Sequence, residues 1–361
     1  MINRTQEEIM QKWPKGWTVP LASIRCMTFN HEPFIAQALD SFLMQETNFP
    51  FEIVVHDDAS TDNTVRIIKE YEKKYPKLIN AIYEKENQYS KHNGSLARIV
   101  NNACNGKYWA LCEGDDYWIA PNKLQMQVDW LKEHPDYTMC CSDAVIESPE
   151  GVLDWHRYEK DCDIPVKDMI LGDGGFVQTA TLTYRADLLK DYPDECRKCY
   201  VGDYPLQLWA VLNGKVRYFS SKTASYRFLH KNSWSSNQIR IPIDLLKKNW
   251  QTIFDLLNFL DFFSGGTYTL IFKEQKENYL HNALLSHKEH WQDILNSFPN
   301  FEKKFIKRLK IEGFLFRLKL DFLAGAYYFT TKKQYKKILL TVPVLKNIIL
   351  YIYFNVLKKK R

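Results

Sequence analysis

The stretch "FEIVVHDDASTDNTVRIIKEYEKKY", Phe51 to Tyr75, decides the class of fold. Its first half is an apolar, β-branched run that reads as a buried strand, broken by Asp57, Asp58 and a polar turn. Val65, Ile68 and Tyr71 then share one face of a helix. The same unit recurs upstream. "LASIRCMTF" (Leu21 to Phe29) is a strand, and "PFIAQALDSFLMQ" carries Phe34, Ala38, Leu39 and Phe42 at helical spacing with Pro33 as its first residue. Downstream, strands are expected at "LINAIYE", "YWALC" and "YTMCCS". Helices are expected around Ser95 to Ala103 and over "NKLQMQVDWLKEH", where Leu124, Val128 and Leu131 line one side. Strands alternating with helices at this rhythm predict an α/β fold, a mostly parallel sheet flanked by helices. Ligands of such sheets bind outside the carboxyl ends of the strands. The polar clusters "TFNHE", "DDAST" and "EGDD", each following a strand, should therefore converge on one rim.

From about 145 to 240 the pattern loosens: "VQTATLTYRADLL" suggests a strand and turn, "DYPLQLWAVLNG" a helix ended by Gly214, and "VRYFSSKTASYRF" one or two strands. From about 242 onward nearly everything reads as helix. The expected division is a leader over 1–17, a main domain over 18–240 and an α-helical C-terminal region over 241–361. With 361 residues, 45% of them hydrophobic and 25% charged, the chain can bury a full core. Its net charge of +6 is uneven: residues 301–361 hold 16 Lys/Arg and 3 Asp/Glu, which leaves the remainder at −7. A basic tail on an acidic body argues against a nucleic-acid groove and points toward anionic lipid. "MINRTQEEIMQKW" lacks the apolar run of a signal peptide, so residence in the cytoplasm is expected. The eight Cys are scattered, as reduced thiols would be, and the single "CRKC" at Cys196 and Cys199 is a weak metal or redox signal.

On the rim, "LCEGDDYW" (Leu111 to Trp118) places Glu113, Asp115 and Asp116 within four residues. Hard cations such as Mg²⁺ or Mn²⁺ take one or two such carboxylates and fill their shell with water and substrate phosphates. The alternative is that Asp115 or Asp116 caps the following helix. Asp57 and Asp58 repeat the arrangement one strand over: either they accept hydrogen bonds from a base or ribose, or Asp58 or Ser60 caps the next helix. Neither GxGxxG nor GxxxxGK[ST] is present, which disfavours a dehydrogenase or a P-loop enzyme.

Taken in order, "SIRCMTFNHEPFIAQALDSFLMQ", "FEIVVHDDASTDNT", "NGKYWALCEGDDYWIAPNKLQMQVDWL" and "VGDYPLQLW" resemble the successive blocks of family 2 inverting glycosyltransferases of GT-A fold, bacterial surface-polysaccharide type, over roughly residues 18 to 235. The resemblance implies that 18–240 is a catalytic domain. Thr28, Asn30 and Glu32 match the segment that lines the nucleotide, and Asp58 with Asp57 matches the pair that holds uridine. Glu113 to Asp115 take the place of the DxD motif, whose last carboxylate reaches a Mn²⁺ or Mg²⁺ on the diphosphate; Glu113 replaces the usual first Asp. Arg98 matches a basic residue facing the diphosphate. Asp203 matches the general base, with Gly202 where an acidic residue is common; read alone, Asp203 is equally a helix N-cap. "SYRFLHKNSWSS" resembles the closing segment, in which Arg227 and His230 would contact the diphosphate or metal and Trp234 would cover a sugar. Trp118 either offers a face to a sugar or packs in the core, and Asp116 either assists on the acceptor side or caps.

In the tail, "VPVLKNIILYIYFNVLKKKR" has about 14 residues between Pro343 and the lysines, short of the ~20 that span a bilayer. With lysines on both sides it has the composition of an interfacial segment, the alternatives being a helix packed on the catalytic domain or a homodimer contact. The expected activity is metal-dependent, inverting transfer of a hexose from a UDP-sugar to a lipid-linked or oligosaccharide acceptor in capsule, O-antigen or exopolysaccharide synthesis, at the inner face of the cell membrane. The competing readings are a glycoside hydrolase, which also needs two carboxylates, and a non-catalytic sugar-binding or scaffold protein.

Overall fold

The computed structural model describes residues 3–91, 93–149, 151–153, 156–228, 233 and 241–317. The chain forms two compact units, one of Met1–Pro242 with Gln251–Phe272 and the other of Ile243–Trp250 with Lys273–Arg361.

The first unit is built on ten strands: β1 (Ala22–Thr28), β2 (Phe51–Asp57), β3 (Ile79–Tyr83), β4 (Tyr108–Leu111), β5 (Tyr117–Trp118), β6 (Tyr137–Ser148), β7 (Gly151–Leu153), β8 (Cys162–Asp163), β9 (Thr183–Arg185) and β10 (Lys215–Arg227). They form one sheet in the order β3-β2-β1-β4-β9-β6-β10-β5, with β7 on β6 and β8 on β10. Strands β3, β2, β1, β4, β6 and β10 point one way, while β9 runs against β4 and β6. The expected α/β sheet, with all its long strands parallel, is thus present. Of the short antiparallel strands, β7, β8 and β9 lie in the segment where the sequence pattern loosens, and β5 follows the acidic turn.

The helices of this unit are α1 (Gln6–Met10), α2 (Ile35–Leu43), α3 (Thr64–Lys74), α4 (Ser95–Ala103), α5 (Lys123–Glu133), α6 (Val166–Leu171), α7 (Asp194–Arg197) and α8 (Asp203–Asn213). The apolar faces read from the sequence are the ones buried: Leu39, Phe42, Ile68, Leu124, Val128 and Leu131 are fully enclosed against Ile24, Ile53 and Val55 of the sheet. Helix α2 starts at Ile35 rather than Pro33, because the chain leaving β1 first makes a turn in which the Phe34 amide donates to the His31 carbonyl (2.9 Å). Residues 3–17 of the stretch expected as a polar leader fold onto the sheet. Thr5 and Glu8 form a capping box for α1, Ile9 and Trp13 enter the core, and Trp13 Nε1 donates to Thr47 Oγ1 (2.9 Å).

Helix α9 (Ile243–Phe263) is shared by the two units, and α10 (Thr269–Ser286), α11 (Trp291–Ser297) and α12 (Lys303–Arg317) follow. Gln251–Phe272, placed by sequence in a separate helical region, belongs to the first unit, where Phe263 lies on Trp209 of α8 at 4.7 Å between ring centres. In the second unit, buried Glu312 meets His281 Nε2 (2.8 Å) and Arg308 Nε (3.5 Å). Among the described residues no helix is long and apolar enough to cross a membrane. His230, Trp234 and the tail beyond Arg317 lie outside the described residues.

Candidate functional site

The acidic turn leaves β4 along the edge of β1. The Cys112 amide donates to the Arg25 carbonyl (3.2 Å) and the Gly114 amide to that of Met27 (2.9 Å). A Cβ on Gly114 would stand 2.8 Å from Cβ and Oγ1 of Thr28, so the turn tolerates only glycine between its acids. The three acids have different fates. Asp116 is buried and its Oδ1 accepts the Arg227 amide (2.8 Å). Asp115 is partly exposed, and His31 Nε2 lies 3.8 Å from its Oδ2. Glu113 is pushed up to about 8 by burial, with Asp115 and Asp203 adding to the shift and Arg25 opposing it. Burial and mutual crowding thus raise two of the three carboxyls, Glu113 and Asp116, a crowding that a bound cation would relieve.

Beneath the turn, Arg227 acts as a clamp. Its guanidinium donates to the Asp115 carbonyl and to Gln37 Oε1, its Nε is 3.8 Å from Glu147 Oε2, and it lies over the rings of Phe34 (4.8 Å) and Tyr117 (4.6 Å).

At the end of β2, both oxygens of Asp58 are taken by backbone amides, Gln88 N (2.6 Å) and Tyr89 N (3.0 Å), which ties down the loop after β3. Asp57 Oδ2 accepts the Ser60 amide (2.9 Å), while its Oδ1 is buried without a partner. Neither Asp58 nor Ser60 caps α3: its N-cap position is Asn63, and the Thr64 amide donates to Asp62 Oδ1 (2.9 Å). Asn30 and Glu32 brace the loops after β1 and β2 together. Asn30 Oδ1 accepts the Thr61 amide (2.8 Å), and Glu32 Oε1 and Oε2 accept from Asn63 Nδ2 (2.7 Å) and N (3.1 Å). With Asp57 Oδ1, the buried Oγ1 of Thr28 and Nδ1 of His31 also lack partners. A buried polar atom without a partner calls for one, and a polar ligand bound at this rim would supply it.

Asp203 is the first residue of α8, and its Oδ1 accepts the Tyr204 amide (2.7 Å). Burial raises its carboxyl above the ordinary range, and Asp173 adds to this. Asp173 sits at φ 53° in a turn closed by the Gly175 amide on its Oδ1 (2.9 Å), and a Cβ on Gly174 would come 3.2 Å from Asp203 Oδ1. The base candidate is therefore packed against this turn.

Three expectations from sequence are corrected. Trp118 is not a sugar platform: it is 1% exposed, donates from Nε1 to the Ala180 carbonyl (2.8 Å) and packs edge-on to Phe42. Asp116 is not free for an acceptor, because burial and the Arg227 amide hold it inward. Arg227 clamps the turn from below instead of presenting its guanidinium at the rim. Arg98 is exposed on α4 and donates to the Asn93 carbonyl (2.9 Å). The Cys196 and Cys199 thiols are free and pushed up by burial, to about 12 and about 11. The sequence reading passed over Arg25, His31 and Asp173. A charge inside the apolar run of β1 was the signal for Arg25, and Asp173 had none, since only the fold brings it to Asp203.

Among the described residues no group of three or more His, Cys, Asp or Glu converges as a complete metal shell. The donors on offer are carboxylate oxygens, which fits a hard divalent ion that brings water and phosphate oxygens with it. Of the acids, Asp115 is the one whose side chain is both accessible and free of a hydrogen-bond partner.

Residues 23–192 match the family model "Glycosyl transferase family 2". The chain is 35% identical over 221 residues to "Uncharacterized protein Rv1520" of Mycobacterium tuberculosis, covering 59% of this chain and 60% of that protein, so it spans less than two thirds of that relative's length. It is 32% identical over 111 residues to the Escherichia coli "UDP-Glc:alpha-D-GlcNAc-diphosphoundecaprenol beta-1,3-glucosyltransferase WfgD", covering 31% of this chain and 41% of that one. Among solved structures, Staphylococcus aureus TarS 1–349 in complex with UDP-GlcNAc aligns over 87% of this chain and 92% of its own, at 18% identity and a TM-score of 0.49.

Proposed function

We propose that the glycosyl transferase family 2 domain at residues 23–192, completed by Asp203, transfers a hexose from a UDP-sugar to a lipid-linked saccharide with inversion, at the inner face of the cell membrane, in the assembly of a capsule, O-antigen or similar glycan. The observation that carries this reading is the pairing of the acidic turn, Glu113 to Asp115, with a further raised carboxylate, Asp203, whose charge bears on Glu113. The activity in the name of WfgD, from a UDP-Glc donor to an alpha-D-GlcNAc-diphosphoundecaprenol acceptor, supports the substrate class.

Asp115, with Glu113 beside it, would hold Mn²⁺ or Mg²⁺, which when bound offsets the charge of the donor's diphosphate. Asp57 Oδ1 and Thr28 Oγ1, buried and unpartnered, would accept hydrogen bonds from the nucleoside. Asp203 removes the proton of the acceptor hydroxyl as that oxygen attacks the anomeric carbon from the face opposite the leaving UDP. Its raised pKa strengthens it as a base once it is ionised. Arg227 holds the acidic turn in place for the diphosphate.

The test is Asp203→Asn. Transfer from UDP-sugar to acceptor should fall by roughly 10²–10⁴-fold, while Mn²⁺-dependent thermal stabilisation by UDP persists. Full activity in the variant would refute the assignment and favour a binding or scaffold role. Turnover of a saccharide with neither nucleotide nor metal would instead favour a hydrolase.

A further inference from the structure

Helix α9 ends and α10 begins in a turn whose outward side chains are apolar. Phe262 is 85% exposed and Leu270 79%, the two highest values among the large apolar side chains described, and Phe263 between them is 43% exposed. The eleven residues from Phe262 to Phe272 include no charged side chain. Asp261, at the edge of this run, is turned into it: its Oδ1 accepts Thr269 Oγ1 (2.8 Å) and its carbonyl the Gly266 amide (3.1 Å). Gly265 and Gly266 reverse the chain at φ 62° and 74°, and the Ser264 amide closes the end of α9 on the Leu260 carbonyl (2.9 Å). The turn is therefore built by its own hydrogen bonds. Phe263 seats it on Trp209, in the helix that Asp203 begins.

We propose that this tip is a membrane-docking element, with Phe262 and Leu270 entering the interface of an anionic bilayer. Three observations favour lipid over other occupants. Side chains that project from a helix-turn-helix tip form no groove in which a small ligand or peptide could lie. Three side chains of this size expose on the order of 300–400 Å², whereas a stable protein interface takes ~800 Å² from each partner. Residues 318–361 carry ten Lys/Arg and one Asp, a charge complementary to anionic headgroups. One weak anchor gives only marginal attachment, and an apolar insertion combined with a basic segment supplies the two signals that stable peripheral binding requires. The use of such docking rests on the proposed lipid-borne acceptor. The docking itself does not depend on which sugar is transferred.

The test uses the full chain and its Phe262→Ser/Leu270→Ser double variant, sedimented with vesicles of phosphatidylcholine containing phosphatidylglycerol and with vesicles of phosphatidylcholine alone, across a salt series. Burial of each of these side chains favours the lipid phase by about tenfold or more. The variant should therefore lose at least tenfold in partition, and the lost part should be the component that survives high salt. UDP and Mn²⁺ should stabilise the variant as they do the parent. Should they stabilise neither protein, the functional proposal fails while the docking result stands. Unchanged partition at every salt concentration would overturn the docking proposal. So would self-association of the parent that the variant loses, which would make the tip a contact between copies. A lowered unfolding midpoint with unchanged partition would make it an intramolecular contact, and would also overturn the proposal.

Discussion

Replacing Lys123 with methionine should stabilise the protein at neutral pH. Lys123 is fully buried on α5; its Nζ donates to Gln127 Oε1 (2.9 Å) and lies 4.2 Å from the centre of the Trp118 ring. Burial lowers its pKa from 10.5 to about 7. The folded state thus binds this proton less well than the unfolded chain does, so stability is greatest above pH 10.5 and is lost as pH falls toward 7. The linkage relation puts the loss at about 4 kcal/mol at pH 7 and about 2 kcal/mol at pH 9. Against this, methionine gives up one hydrogen bond, about 1 kcal/mol, and a cation–π contact of up to about 2 kcal/mol. It leaves no orphan, because Gln127 Oε1 still accepts from Thr183 Oγ1 (2.6 Å) and Gln127 Nε2 still donates to the Thr181 carbonyl (2.9 Å). The expected net gain is about 1–2 kcal/mol at pH 7, shrinking by about 2 kcal/mol at pH 9. Urea unfolding of both proteins at the two pH values measures it, and the difference between them cancels every other titrating group. A variant less stable than the parent at pH 7, or a gap that does not change with pH, would refute the reasoning.

Gly114→Ala drives a Cβ into Thr28, so it should cost the free protein about 1–3 kcal/mol of stability and abolish the further stabilisation by UDP in the presence of Mn²⁺, both read by thermal shift. Trp118→Phe should cost about 2–3 kcal/mol of stability, from lost volume and an unpaired Ala180 carbonyl, yet leave the KM for donor unchanged; a selective rise in KM would restore the sugar-contact role. Because a general base acts deprotonated, kcat/KM should fall as pH drops through the raised pKa of Asp203, above the ordinary carboxylate range. Asp173→Asn removes a neighbouring negative charge and should move that limb to lower pH, as a pH–rate profile would report.

The periodicity that located β1, β2, β4, α2, α3 and α5 was legible because each of these elements buries one face against the same core. Ile68 and Leu131 are fully enclosed for the reason that they recur at helical spacing. The segment from Ser142 to Lys222 was less legible. Its short strands β8 and β9 pair with partners distant in sequence, and two or three residues of strand, as in β7, β8 and β9, carry too little pattern to read. The same limit hid the contribution of Gln251–Phe272 to the first unit, since the contact of Phe263 with Trp209 spans 54 positions of sequence.

The chain's own order of residues determined that three polar clusters follow three parallel strands, and so share a rim, because strand direction fixes where each strand ends. It did not determine what each acid does there. Asp57 and Asp58 are neighbours of one residue type, yet Asp58 is consumed by two backbone amides and Asp57 keeps a free oxygen. Asp115 and Asp116 differ in the same way, one facing outward and the other bonded to the Arg227 amide. Which of two adjacent carboxylates is free depends on hydrogen bonds offered from residues 30 to 111 positions away, and only the tertiary structure brings those donors into place.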